Sequence, residues 1–128
     1  MGPDILLVDD NNIQAATRRA VLSRLGRTVT IAGNGAEALQ ILDRTAQAGH
    51  RIGLVITDHL MPGMNGPELV AQLRPRYPHL PVLVLSGLSE AEDEYRELDV
   101  TFRMKPLPPD DLLHLVRSLL EEPIARSA

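Results

Sequence analysis

Short aliphatic runs alternate with stretches of helical period along this chain. The runs are Ile5-Leu6-Leu7-Val8, Thr28-Val29-Thr30-Ile31-Ala32, Leu54-Val55-Ile56-Thr57, Pro81-Val82-Leu83-Val84-Leu85 and Val100-Thr101-Phe102. Each is three to five residues long, and most are bounded by Gly, Pro, Asp or Asn, which predicts strands. Three are apolar nearly throughout, the pattern of strands covered on both faces. Between them the apolar spacing changes to three and four. Ile13, Ala16, Thr17, Ala20, Val21 and Leu25 predict the inner face of a first helix, with Arg18, Arg19 and Arg24 largely off it. Ala38, Leu39, Leu42 and Ala46 repeat the pattern after a turn at Asn34-Gly35. Leu69, Val70 and Leu73 mark a third helix, which Pro75 and Pro78 must end. The last helix rests on Leu112, Leu115, Val116 and Leu119, with Asp110 and Asp111 near its start, where the helix dipole favours negative charge.

Strand–helix alternation repeated five times predicts an α/β fold, a doubly wound five-stranded parallel sheet with helices on both faces. No linker, repeat or second block of composition interrupts the 128 residues. One domain over 1–128, with its core near 4–121, is therefore expected.

Composition narrows function more than fold. Tyr77, Tyr95 and Phe102 are the whole set of Phe, Tyr and Trp, so stacking platforms for single-stranded nucleic acid are all but excluded. A formal charge of −4 also speaks against nucleic-acid binding. The absence of Cys removes disulfides, thiolate chemistry and zinc–sulfur sites. The longest apolar run, Leu80 to Leu85, falls far short of a membrane span. Met1-Gly2-Pro3-Asp4 lacks a basic segment, so a signal peptide is not expected and the cytoplasm is.

In open parallel sheets ligands bind beyond the carboxyl ends of the strands. Asp9 and Asp10 follow the first run, Asp58 the third and Ser86 the fourth, while the fifth leads to Lys105. Three acids packed together repel, and at least one stays protonated unless a cation intervenes. Hard oxygen ligands suit Mg2+ (or Mn2+), which also accepts phosphate oxygens. Asp58 is then placed to attack phosphorus, with Lys105 and Ser86 on the remaining phosphoryl oxygens. Lys105 is the only lysine among 13 cationic residues, and a compact ammonium suits phosphate as a point charge. An Asp after a strand is also a common turn former or helix cap, and Asp10 before Asn11-Asn12 fits that role too.

Four stretches in order carry a resemblance. They are Ile5-Leu6-Leu7-Val8-Asp9-Asp10, Leu54-Val55-Ile56-Thr57-Asp58-His59-Leu60-Met61-Pro62-Gly63-Met64-Asn65-Gly66, Val82-Leu83-Val84-Leu85-Ser86-Gly87 and Met104-Lys105-Pro106-Leu107. From about Asp4 to Glu121 the chain resembles a response-regulator receiver domain. The resemblance implies a flavodoxin-like strand order 2-1-3-4-5. It makes Asp58 the phosphoacceptor, with Mg2+ held by Asp9, Asp10, Asp58 and the backbone carbonyl of Leu60. Ser86 becomes the switch hydroxyl, Phe102 the switch aromatic and Lys105 the phosphate-binding lysine, followed by a cis Lys105–Pro106 peptide. Such a switch catalyses its own phosphorylation and slow autodephosphorylation rather than acting as a conventional enzyme. The implied donor is a sensor histidine kinase or a histidine phosphotransfer protein, and the implied output is a changed surface on helix 4, strand 5 and helix 5. No nucleic-acid or membrane partner is implied, and the chain is expected to be a monomer or weak dimer. The Asp-His-Leu-Met-Pro loop is similar to C-terminal receivers of hybrid histidine kinases.

Three other readings keep part of the pattern. A metal-dependent aspartyl-phosphate phosphatase wants a second Asp two residues after the nucleophile, where this chain has Leu60. A flavin carrier wants Ser, Thr and Gly after the first strand, where this chain has Asp9-Asp10-Asn11-Asn12. A degenerate receiver that only binds proteins would not need the full acidic set.

Some features depart from the family pattern. Lys105 stands nineteen positions after Ser86, about one helical turn fewer than such receivers usually have. Gln47-Ala48-Gly49-His50-Arg51 reads as an inserted loop. Ser89 to Asp99 holds six acids against Arg96, a local charge of −5 that predicts a short, weak helix over Ala91, Tyr95 and Leu98. Gly63 and Gly66 are expected at positive φ, and Gly87 keeps the phosphoryl site open. His59 is not expected to be a ligand, because its neighbour on an extended segment points the other way. His50, His79 and His114 read as surface residues, while Met61 and Met64 read as packing or docking residues. Leu60 and Leu88, two positions after Asp58 and Ser86, are placed to tune hydrolysis.

Overall fold

A computed structural model describes residues 3–127, with side chains through Leu120; Met1, Gly2 and Ala128 of the expected domain lie outside it. The strands are β1 (Asp4–Val8), β2 (Val29–Ala32), β3 (Ile52–Asp58), β4 (Val82–Ser86) and β5 (Thr101–Met104). They form one sheet in the order β2-β1-β3-β4-β5, with every pairing parallel. The helices are α1 (Asn12–Leu22), α2 (Gly35–Gln47), α3 (Gly66–Leu73) and α4 (Pro109–Ser127), with 3-10 runs at Ser23–Leu25 and Ser89–Tyr95. The doubly wound α/β fold expected from the alternation is the one observed.

Strand alternation explains both layers. Ile5, Leu7, Leu54, Ile56, Leu83 and Leu85 pack with Ala15 and Leu22 of α1 and with Leu112 and Val116 of α4. Their neighbours Leu6, Val8, Val55 and Val84 turn to the opposite face, against α2 and α3. Central strands therefore need apolar residues at both parities, which is why they read as unbroken runs. All seven residues of β3 are buried, and each large aliphatic side chain so buried contributes about 1.5–3 kcal/mol.

Asparagine starts the first three helices. Asn11, Asn34 and Asn65 accept the amides of Gln14, Glu37 and Glu68, and Glu68 returns a bond to Asn65 to close a capping box. Asp10 is therefore not the cap of α1.

The inner face of α1 is corrected. Ile13, Ala16, Thr17 and Ala20 are exposed, Ile13 by 81%, while Ala15 and Leu22 enter the core with Arg18 between them. Ala and Thr suit either face, so the rotation that buries Leu22 fully prevails. In α2, Ile41 is buried and Ala46 is exposed for the same reason.

The acid-rich stretch forms a seven-residue 3-10 run instead of an α-helix, and Glu97 and Asp99 beyond it take positive φ of 70° and 56°. Glu90 and Glu94, like Asp93 and Glu97, would stack like charges four residues apart on a helix. Arg74, at the end of α3, steadies the approach to β5 by donating to the carbonyls of Leu98 and Asp99.

Gly63 has φ +81, as expected, but Gly66 does not need positive φ. Its constraint is space: an added Cβ would run into the Tyr95 hydroxyl and press on the His59 backbone. Gly66→Ala should therefore cost about 1–3 kcal/mol, measured by urea unfolding. Tyr95→Phe removes the obstructing oxygen, so the double variant should lose less than the sum of the two single losses. Strictly additive losses would show that the hydroxyl does not force the glycine.

Candidate functional site

Strand register sets the level of the site. Val8 pairs with Thr57, Asp58 with Leu85 and Ser86 with Met104. Asp9, Asp58, Ser86 and Lys105 consequently leave the sheet at one edge. Carboxylate oxygens of Asp9, Asp10 and Asp58 lie within 4.8 Å of one another. Asp9 and Asp58 are buried and Asp10 is exposed. The short β1–α1 loop fixes Asp9, whose Oδ1 accepts the Asn11 amide at 2.9 Å while Asn11 caps α1.

Two cations balance these acids. Lys105 Nζ lies 3.0 Å from Asp58 Oδ1. Arg18 Nη1 donates to Asp9 Oδ2 at 3.1 Å and to Asp58 Oδ1 at 3.0 Å. Apolar spacing alone puts Arg18 off the inner face of α1. Its place three residues after Ala15 and four before Leu22, a shared helix face, is the signal that finds it. Burial pushes the Asp9 carboxyl up to about 6, and the neighbouring Asp58 adds to the rise; the Asn11 amide and Arg18 oppose it.

The remaining residues divide between the site and its surroundings. Ser86 is buried, and its hydroxyl accepts the Leu88 amide at 2.9 Å. Lys105 comes directly after β5, and the Lys105–Pro106 peptide is cis. A Cβ on Gly87 would meet only open space. Leu60 and Leu88 project at the surface, 64% and 42% exposed. The Phe102 ring centre lies 6.0 Å from that of Tyr95.

His59 turns away from Asp58, as strand alternation requires, and is buried. Its Nδ1 and the Tyr95 hydroxyl share a hydrogen bond of 2.7 Å, and its Nε2 lies 3.5 Å from Glu94 Oε2. Burial raises the Tyr95 hydroxyl above the usual tyrosine range, with Glu94 adding to it. Nothing local in the sequence signals this pair, whose members stand 36 residues apart. His50, His79 and His114 are exposed and Met61 packs in the core, as read from the sequence.

The Asp9 shift has a signed consequence. A carboxyl raised from 3.8 to about 6 holds its proton more tightly when folded, so stability is lost as pH rises through that window. In metal-free buffer, Asp9→Asn should therefore raise the melting temperature at pH 7.5 and leave it nearly unchanged near pH 4. Equal effects at both values would refute the assignment.

Known proteins resemble this chain in sequence and fold. The family model described as "Response regulator receiver domain" matches residues 5–117. The sensor kinase CckA of Brucella abortus is 33% identical over 122 residues, covering 92% of this chain and 12% of the relative. The response regulator MprA of Mycobacterium ulcerans is 33% identical over 123 residues, covering 94% and 51%. The chain thus spans about half of one relative and a small part of the other. Among solved structures, the chemotaxis protein CheY4 of Vibrio cholerae superposes with a TM-score of 0.82 at 28% identity, covering 94% of this chain and all of that one (100%). With the strand order, the acidic edge and the lysine already in place, the chain belongs to the response regulator receiver domain family.

Proposed function

We propose that this receiver accepts a phosphoryl group on Asp58 from a phosphohistidine of a sensor histidine kinase or a histidine phosphotransfer protein. The observation that carries this reading is Lys105 Nζ at 3.0 Å from Asp58 Oδ1, beside carboxylates gathered within 4.8 Å. An Asp58 oxygen attacks phosphorus, and the P–N bond breaks with its electron pair passing to the imidazole nitrogen, which takes up a proton from water. Asp9, Asp10, Asp58 and the Leu60 carbonyl are a hard-oxygen donor set that fits Mg2+ or Mn2+. Such an ion supplies the positive charge that lets a phosphate approach three acids. Lys105 neutralises the phosphoryl oxygens as a compact cation. Ser86 has to release the Leu88 amide before its hydroxyl turns to the phosphoryl group. Phe102 then fills the space vacated, which changes the surface formed by the acidic 3-10 run, β5 and α4.

Acetyl phosphate with Mg2+ should add one phosphoryl group, read by intact mass. Asp58→Asn or EDTA should abolish it, and labelling that survives either would overturn the assignment. Lys105→Arg should slow labelling several-fold despite its equal charge, because a planar fork replaces a point charge.

Leu60 and Leu88 bear on the lifetime of the signal. Neither side chain can hydrogen-bond an attacking water. The phosphorylated form should persist for many minutes, and Leu60→Asn with Leu88→Glu should speed its decay several-fold at unchanged stoichiometry. Monitoring phosphoryl loss after donor removal checks this; decay within seconds in the wild type, or an unchanged rate in the variant, would refute it.

A further inference from the structure

Both oxygens of Asp9 are engaged by protein donors. Oδ1 accepts the Asn11 amide, and Oδ2 accepts Arg18 Nη1. The same Arg18 nitrogen reaches Asp58 Oδ1, where Lys105 also sits. Arg18 thus occupies oxygens that the proposed function assigns to a divalent cation. Each oxygen keeps a second lone pair, but a guanidinium on Oδ2 repels an arriving divalent cation, so Asp9 and Asp58 take up such an ion more readily once that charge has moved aside. The Asn11 amide is backbone in a loop of three residues between β1 and the first residue of α1. Arg18 is held by a flexible stem and remains 14% exposed, so it is the partner able to withdraw.

We propose that Arg18 is a tethered counter-cation that bridges Asp9 and Asp58 in the metal-free receiver and competes with Mg2+, so that it sets the Mg2+ concentration at which the site becomes competent. The inference rests on the metal-binding part of the proposed function. Its physical basis is that two buried carboxylates side by side need a partner, and removing one member of a buried ion pair leaves the other charge uncompensated. Replacing Arg18 by a neutral residue therefore acts twice. It raises the free energy of the metal-free state, and it frees the oxygens for the ion. Arg19, the exposed neighbour on α1, carries the same charge away from the buried face and serves as a control for charge alone.

The test is Mn2+ binding to the full, unphosphorylated chain, monitored through the paramagnetic signal of the free ion. Melting temperatures are taken with and without metal. Arg18→Gln should bind about tenfold more tightly, the change that ~1.4 kcal/mol of lost competition produces. Its metal-free melting temperature should fall, and its gain on adding metal should exceed that of the wild type. Arg19→Gln should stay within about twofold of the wild type, as a screened surface charge does. Arg18→Lys keeps the charge but presents one ammonium in place of the fork, and it should gain affinity several-fold. It also decides the matter if the glutamine variant does not fold, since wild-type affinity in the lysine variant would then overturn the inference. Equal or weaker binding by Arg18→Gln would overturn it, as would equal tightening by Arg19→Gln. Absence of binding in all four proteins would refute the metal-binding reading itself, and this inference with it.

Discussion

Like charge held at short range is the constraint around which this molecule is arranged. At separations of up to 4.8 Å, two ionised carboxylates repel by at least roughly 1 kcal/mol in water and at least roughly 3–4 kcal/mol at an effective dielectric of about 20. The side chains of Asp9 and Asp58 are 0% and 5% exposed, so the larger figure governs. A domain has only about 5–15 kcal/mol of net stability, and repulsion of that size has to be balanced nearby. Lys105 does so from the turn after β5 and Arg18 from α1, and the proton held by Asp9 up to about pH 6 relieves the rest.

The fold places the acids and keeps them there. Parallel register brings the ends of β1 and β3 level, and burial on both faces leaves these strands little freedom to slide. The β1–α1 loop is pinned at both ends, by Asp9 on the Asn11 amide and by Asn11 on the first turn of the helix. The loop after β3 is longer. It is held by His59 against Tyr95, by the positive φ of Gly63 and by the capping box at Asn65. The site is therefore rigid at Asp9 and Asp58, while its adjustable parts are the long side chains of Arg18 and Lys105 and the hydroxyl of Ser86.

How much the sequence reveals depends on how local each determinant is. The strands, their parallel arrangement and the acids at their ends depend on residue type and period within a few positions, so Asp9, Asp58, Ser86 and Lys105 are legible without coordinates. The face of α1 is not, because Ala16, Thr17 and Ala20 satisfy a helical period as well as Ala15 and Leu22 do. That ambiguity hides Arg18, since a charged residue reads as exposed until the acids opposite it are known. Gly66 reads as a turn glycine, yet its cause is a tyrosine ring from a segment distant in sequence. The His59–Tyr95 pair is hidden for the same reason: sequence can say that His59 faces away from Asp58, not what it meets there.

That pair also gives the acid-rich run its physical character. Asp58 ends β3 and His59 follows it, one directed toward the cations and the other toward Tyr95. Tyr95 in turn lies against Phe102 of β5. A run bearing so many acids gains little from helical hydrogen bonds, and it buries only Ala91 and Tyr95. Its attachment to the body therefore depends on ring contacts more than on backbone structure, which places it among the less strongly held parts of the fold. The residue beside Asp58 is thus joined, through one hydroxyl, to a weakly held segment. A full extra turn of α-helix would stiffen this stretch, whereas the nineteen-residue spacing from Ser86 to Lys105 leaves its position to His59 and Tyr95.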